Sequence, residues 1–334
     1  MPRLSFTFRG FVAPVLTPFF DDSTRSLNLS FIPQYAKYLA DRGITGVLGE
    51  IWIPVIYALR RCYFFNSFSH LITVNGTSGE GPLLNVEERK AIAEAWVRAS
   101  KATNLHLMLQ IGGAPLPDVI ELAKHGESIG VDSLLTLPEL YFKPTTPEQL
   151  IAYLEDIGEA APKTPLLYYN YPLASGVNIN MAQFVQSIGD RLPTFVGMKF
   201  TSTNLEEAMH VVHTNNKEFA LFLGNDQLMA GAFTLGIDSV MATTLNMYPD
   251  LAIGMLEATK AGEVQKAREL QEKLTKFAVA VSKYGSWVAT MKVAMALLTE
   301  FDCGPPRAPL TPLPKASVSS MKADLRALGC KLLE

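Results

Sequence analysis

The residue whose type and setting most directly suggest chemistry is Lys199. It lies in an apolar run, Thr194–Phe200, that otherwise has the composition of a fully buried strand. Burial disfavours the charged form of an amine, and a lysine kept partly neutral is a nucleophile toward ketones. The alternative is a lysine at a strand end, with a buried stem and an ammonium that reaches water. The local sequence leaves both interpretations open.

Two further groups of polar residues follow predicted strands, and both suit a small anionic substrate. The loop Asn75–Gly81 contains three glycines and the hydroxyls of Thr77 and Ser78, so it offers N–H and O–H donors to a carboxylate. An ordinary glycine-rich turn is the alternative. Tyr169 ends another predicted strand, where its phenol can relay a proton, although a lone tyrosine is more often a core residue. Tyr169 and Lys199 are 30 residues apart, about one strand–helix unit, so they are expected at neighbouring strand ends.

The elements that must hold these residues alternate between short apolar runs and segments of helical period. A helix is predicted from Asn85, with Glu88 three residues on to complete a capping box, and another over Thr146–Ala161. Strands without polar alternation, separated by helices, indicate a parallel sheet covered on both faces. The strands are predicted at Phe11–Leu16, Ile44–Leu48, Leu105–Ile111, Ser133–Leu137, Pro165–Asn170, Thr194–Phe200, Ala220–Gly224 and Ser239–Thr243.

Eight such units predict an α/β fold, a closed (β/α)₈ TIM barrel over residues 10–262. An open doubly wound sheet is the alternative, but the first turn lacks its glycine fingerprint. Residues 263–334 have only helical period, with a proline-rich break at Cys303–Pro309 and a final helix near Ser317–Leu328. Because no linker separates them from the barrel, they are predicted to form a C-terminal helical extension packed on it.

Composition and charge narrow the classes of function. The 334 residues are 48% hydrophobic and 18% charged, with a net charge of −3. No charged block marks a surface for nucleic acid or an anionic membrane, and no apolar stretch is long enough to span a bilayer. Three scattered cysteines, Cys62, Cys303 and Cys330, predict neither a disulfide framework nor a metal site. A reduced, cytoplasmic location is expected, since Met1–Arg9 also lacks the apolar core of a signal peptide.

Three ordered motifs resemble the pyruvate-dependent class I aldolases, the family that contains N-acetylneuraminate lyase and dihydrodipicolinate synthase. They are Gly76–Glu80, Tyr169–Pro172 with Gly176-Val177, and Gly197–Thr201. The stretches Val74–Glu94, Leu192–Leu205 and Gly304–Leu310 look most like the animal-type lyases of that family. The resemblance covers nearly the whole chain. It implies a homotetramer that acts on a 2-oxo sugar acid, releases pyruvate, and needs neither a metal nor an organic cofactor.

The resemblance also implies a role for each matching residue. Lys199 would form an imine with the C2 ketone of a 2-oxo acid, and Tyr169 would take the proton of the C4 hydroxyl as the C3–C4 bond breaks. Thr77 and Ser78 would bind the C1 carboxylate. The hydroxylated tail would be bound by residues at three strand ends, namely Thr201, Gly224, Asp226, Gln227 and Thr243.

Four positions depart from the residues usual in these relatives. Ala174 stands where dihydrodipicolinate synthases carry an arginine for a second substrate carboxylate, which argues against that activity. Gln227 stands where the lyases have glutamate, Thr243 where they have serine and Leu245 where they have tyrosine. A Glu→Gln change removes an ionised acceptor and adds a donor. N-acetylneuraminate and another 3-deoxy-2-oxo sugar acid are therefore both candidate substrates, and a catalytically impaired sugar-acid-binding relative is the alternative from another class.

The segment Gly49–Thr73 departs from the family pattern, in which Leu48 would run directly into Val74. Its 25 residues are rich in aromatics and isoleucine and show neither helical period nor strict alternation. One interpretation is a real insertion, such as a lid or a partner-binding hairpin. The other, which we favour because the segment interrupts one predicted strand, is a retained intron or a gene-model error. Transcripts that consistently encode Gly49–Thr73 would exclude the second interpretation.

Overall fold

The computed structural model describes residues 2–42, 70–214 and 218–333. Its centre is a closed barrel of eight parallel strands, each paired with its neighbour in sequence and the last paired with the first. The predicted (β/α)₈ barrel is therefore confirmed. The strands are β1 (Phe11–Pro14), β2 (His70–Val74), β3 (Leu105–Gln110), β4 (Ser133–Thr136), β5 (Leu166–Asn170), β6 (Phe195–Phe200), β7 (Ala220–Leu223) and β8 (Val240–Met241).

Helices cover the outside of the barrel. They are α1 (Ile32–Asp41), α2 (Val86–Thr103), α3 (Leu116–Ile129), α4 (Pro147–Ala160), α5 (Pro172–Ser175), α6 (Met181–Ile188), α7 (Leu205–His213), α8 (Met229–Thr234) and α9 (Pro249–Lys260). Three more, α10 (Val264–Ser282), α11 (Trp287–Leu298) and α12 (Lys315–Ala327), follow the barrel in sequence. The capping box predicted at α2 is present, with Asn85 and Glu88 each accepting the other's backbone N–H. Within the described ranges, no helix combines the length and the hydropathy needed to cross a bilayer.

The second strand of the described barrel is His70–Val74. Its Leu71 pairs with Val12 of β1 and with His106 of β3. Residues 70–73, which the sequence alone groups with the atypical segment, thus belong to the barrel. The predicted strand Ile44–Leu48 lies outside the described residues, as do positions 49–69 of that segment.

Alternation along β5 and β6 decides which side chains reach the interior of the barrel. Tyr168 faces outward, with its ring centroid 5.8 Å from that of Phe184, whereas Tyr169 belongs to the inner apolar cluster. In β6 the neighbours of Lys199, Met198 and Phe200, join the outer core. Lys199 therefore turns inward. The register pairs Tyr169 directly with Lys199, which confirms that the two lie at neighbouring strand ends.

A buried ion pair joins α11 to the loop that follows β2. Lys292 of α11 lies 2.7 Å from the carboxylate of Glu80, in side chains only 2% and 0% exposed. The other carboxylate oxygen of Glu80 accepts the backbone N–H of Arg307 at 2.7 Å, and the Arg307 guanidinium donates to Glu88 at the start of α2. Burial lowers the pKa of Lys292, and the charge of Glu80 opposes that shift. Removal of either partner would leave the other charge buried and uncompensated.

We expect Lys292→Met to lower the free energy of unfolding by about 3–5 kcal/mol, because it strands the buried carboxylate of Glu80. Equilibrium urea unfolding measures the loss. Combining Lys292→Met with Glu80→Gln removes both charges and should recover most of the stability. The exposed pair of Lys266 and Glu263 offers the matched control, since Lys266→Met should change stability little. A Lys292→Met variant as stable as its parent would contradict this account.

Candidate active site

The carboxyl ends of the strands surround a cavity of about 740 Å³. Active sites of closed α/β barrels lie at this end, because the loops that follow the strands converge there. All nine residues predicted from the sequence line this one cavity, although they come from five different strand ends. They are Thr77 and Ser78 after β2, Tyr169 in β5, Lys199 and Thr201 at β6, Gly224, Asp226 and Gln227 after β7, and Thr243 after β8.

Lys199 and Tyr169 form the centre of the site. The Nζ atom of Lys199 lies 4.1 Å from the centroid of the Tyr169 ring, and Lys199 is only 6% exposed to solvent. The Tyr169 hydroxyl lies 3.2 Å from the Oγ1 of Thr77, and the ring of Tyr171 stacks on that of Tyr169 at 5.9 Å. An amine beside a phenol ring, with a hydroxyl next to the phenol oxygen, can form an imine and move protons to and from the bound molecule.

The loop that carries Thr77 and Ser78 is closed by its own backbone. The N–H of Gly81 donates to the Gly76 carbonyl and that of Glu80 to the Thr77 carbonyl, each at 3.1 Å. The chain passes so close to itself that a Cβ on Gly81 would lie 1.8 Å from the Asn75 oxygen, so glycine is required there. This turn holds both hydroxyls at the cavity. There the Oγ of Ser78 lies 2.6 Å from the Oγ1 of Thr243.

The residues after β6 and β7 form the polar side of the cavity. The Asp226 carboxylate accepts the hydroxyl and the N–H of Thr244 at 2.6 and 3.2 Å. Burial raises the pKa of Asp226, against the hydrogen bonds from Thr244 and the charge of Lys199. The Oγ1 of Thr201 is buried without a hydrogen-bond partner within the described residues.

Several residues that line the cavity are not predicted from the sequence. Asn225 lies between Gly224 and Asp226 in the sequence, so those two predicted residues could have indicated it as well. Trp287 comes from α11, in a region whose sequence shows only helical period, and nothing local marks it as a site residue. Among the lining residues of the described ranges, Lys199 is the one cation and Asp226 the one carboxylate. No group of three His, Cys, Asp or Glu side chains in the described part is arranged to hold a metal ion.

Comparisons with known proteins agree with this geometry. The sequence profile of the dihydrodipicolinate synthetase family matches residues 63–328. N-acetylneuraminate lyase of Rattus norvegicus is 30% identical over 323 residues, which cover 96% of this chain and 92% of the relative. The Homo sapiens lyase is 30% identical over 322 residues, with the same coverage of both chains. The solved structure of the Proteus mirabilis lyase superposes with a TM-score of 0.84 at 28% identity, covering 97% of this chain and 99% of that one.

The barrel, its amine-bearing cavity and these matches together define a class I aldolase, a carbon–carbon lyase. More particularly, the chain belongs to the dihydrodipicolinate synthetase family. The resemblance noted in the sequence is thereby confirmed.

Gly224→Ala should disable the site while leaving the fold intact. A Cβ there would lie 1.9 Å from the Oγ1 of Thr201 and 3.1 Å from the Cε of Lys199, so both side chains must move. We expect at least about tenfold slower modification of Lys199 by pyruvate and borohydride, because the reacting amine is displaced. The change is measured by mass spectrometry of the labelled peptide.

Gly231→Ala is the matched control for this change, since a Cβ in that α8 position meets nothing nearer than 3.7 Å. It should label at the parental rate. Parental labelling of Gly224→Ala would show that the close packing around Lys199 is not required.

Proposed function

We propose that the enzyme cleaves N-acetylneuraminate to N-acetylmannosamine and pyruvate through an imine on Lys199. The observation that carries the proposal is the convergence in one cavity of the Lys199 amine, the Tyr169 phenol and the hydroxyls of Thr77 and Ser78. N-acetylneuraminate lyases that match nearly the whole chain support it.

The reaction begins at the C2 ketone. The neutral amine of Lys199 adds to it, water leaves, and a protonated imine remains as the electron sink. Thr77 and Ser78 donate hydrogen bonds to the C1 carboxylate, which places C2 beside the Nζ atom. Because this positioning precedes the chemistry, the loop contributes orientation rather than proton transfer.

Carbon–carbon cleavage then depends on Tyr169. Tyr169 gives its phenolic proton to the hydroxyl that leaves as water during imine formation. The resulting phenolate takes the proton of the C4 hydroxyl, the C3–C4 electron pair moves into the imine, and the aldehyde leaves. The contact of 3.2 Å between the Tyr169 hydroxyl and Thr77 gives this proton a neighbouring hydrogen-bond partner. Protonation of the enamine at C3 and hydrolysis of the resulting imine release pyruvate and restore the free amine.

The charges of the cavity support a substrate with a neutral polyol tail. A second carboxylate or a phosphate would need a cation, and Lys199, which the imine consumes, is the one cation lining the described cavity. Asp226, Gln227 and Thr201 instead offer acceptors and donors suited to hydroxyls. Gln227 is an amide where the lyases have a glutamate. This difference makes an aldolase for another 3-deoxy-2-oxo sugar acid the second candidate. A catalytically impaired binding relative is the third.

Pyruvate with borohydride is expected to add an irreversible mass to Lys199, because reduction fixes the imine. Lys199→Met should abolish the label. Tyr169→Phe should keep it and lower cleavage by about 10²- to 10⁴-fold, because the variant retains the amine and loses the proton acceptor. Peptide mass spectrometry and a coupled pyruvate assay measure the two effects. Labelling of a different side chain, or of none, would overturn the proposed mechanism and favour the binding relative.

The substrate is tested by comparing kcat/KM for N-acetylneuraminate and for a 3-deoxy-2-oxo hexonate. We expect N-acetylneuraminate to be preferred. Gln227→Glu should raise its kcat/KM about three- to tenfold, because an ionised acceptor binds a hydroxyl more strongly than an amide. Gln186→Glu adds the same charge on the exposed face of α6 and should have no effect. Cleavage of the hexonate alone would establish the second candidate.

We also propose a homotetramer in the cytoplasm that acts in sialic acid degradation. Large apolar side chains are exposed in the loop after β4 and in α5, namely Leu140, Tyr141, Phe142 and Leu173. Such exposure is typical of surfaces that contact another protein chain. Cys303 and Cys330 are both free thiols, which supports a reducing compartment. Residues 263–334 are proposed as an extension of a barrel that spans 10–262 and is interrupted by the segment at 49–73.

A further inference from the structure

Helix α11 of the C-terminal extension reaches the cavity with its first residue. The indole Nε1 of Trp287 lies 3.2 Å from the Oγ1 of Thr243, and that oxygen lies 2.6 Å from the Oγ of Ser78. Trp287, Thr243 and Ser78 all line the cavity. An uninterrupted chain of polar atoms therefore connects the extension to the hydroxyl proposed to bind the substrate carboxylate.

The direction of donation along these hydrogen bonds follows from which groups can donate and which can accept. An indole N–H can only donate, so the Oγ1 of Thr243 accepts from it. A hydroxyl that accepts a hydrogen bond becomes a better donor, which favours donation from Thr243 to the oxygen of Ser78. The proton of Ser78 is then free to point into the cavity. Each group donates toward the place where an anionic carboxylate would lie.

A second contact of the same helix fixes the loop that carries Ser78. Lys292, five residues after Trp287, makes the buried ion pair with Glu80, two residues after Ser78. Glu80 has a left-handed backbone, with a φ of 58°, which a non-glycine residue adopts only where its surroundings hold it. Helix α11 thus contacts the loop directly at Glu80 and is connected to the Ser78 hydroxyl through Thr243.

We propose that Trp287 is a positioning residue, which orients the Ser78 hydroxyl through Thr243 toward the carboxylate of the 2-oxo acid. The Lys292–Glu80 pair holds the loop in place for this contact. The inference rests on the proposed capture of a 2-oxo acid by Lys199. It makes the extension part of the active site, and it predicts an effect on carboxylate binding separate from any effect on the reactivity of the amine.

Trp287→Phe tests the inference, since it keeps an aromatic ring and removes the N–H. We expect the pyruvate concentration that half-saturates borohydride labelling of Lys199 to rise about three- to tenfold, the effect of losing one hydrogen bond. The labelling rate at saturation should stay within about twofold, because the amine is untouched. Labelling by acetone, a ketone without a carboxylate, should be unchanged.

Trp96→Phe is the matched control. Trp96 is fully buried in α2, and its Nε1 has no hydrogen-bond partner in the described structure. This variant should lose thermal stability without changing the half-saturating pyruvate concentration. Thr243→Val interrupts the same chain and should act like Trp287→Phe, with less than additive effects in the double variant.

The outcomes separate this inference from the proposed function. If the parent protein is not labelled at Lys199, the proposed function fails, and the inference falls with it. If the parent is labelled and Trp287→Phe has the parental half-saturation, the inference alone is overturned. An equal loss of acetone and pyruvate labelling in Trp287→Phe would also overturn it, because the indole would then support the amine rather than the carboxylate contact.

Discussion

The site depends on one pairing, that of Tyr169 with Lys199 across β5 and β6. Because successive side chains of a strand face opposite sides, a shift of this register by one residue would direct Tyr168 and Met198 into the barrel instead. The apolar partners of those two residues outside the barrel oppose such a shift. The packing that stabilises the barrel is therefore also what places an amine against an aromatic ring in the cavity.

The described lining of the cavity contains one positive and one negative side chain. Lys199 and Asp226 share a site lined otherwise by hydroxyls, amides and apolar groups. Burial raises the pKa of Asp226, and the charge of Lys199 opposes part of that shift. An imine formed on Lys199 would keep a positive charge near Asp226 after the amine is consumed. The remainder of the described lining carries no charge.

Helix α11 is joined to the loop after β2 by a buried ion pair. Two buried charges, Lys292 and Glu80, meet where α11 crosses the turn after Ser78. Hydrophobic residues of similar size could fill that space at no loss of stability in many proteins. An ion pair instead requires one particular arrangement of its partners. The Lys292–Glu80 pair therefore restricts the position of the turn that follows Thr77 and Ser78.

The sequence by itself determined the barrel and the residues at its strand ends. Apolar runs separated by helical segments imply parallel strands covered on both faces, and strand ends must meet at one rim. Local patterns therefore sufficed to place Lys199, Tyr169, Thr77 and Ser78 together. Only the tertiary structure decided that β2 is His70–Val74, that Trp287 contacts Thr243 and that Lys292 contacts Glu80. The two α11 contacts join residues more than 40 positions apart in sequence. No local period encodes such contacts.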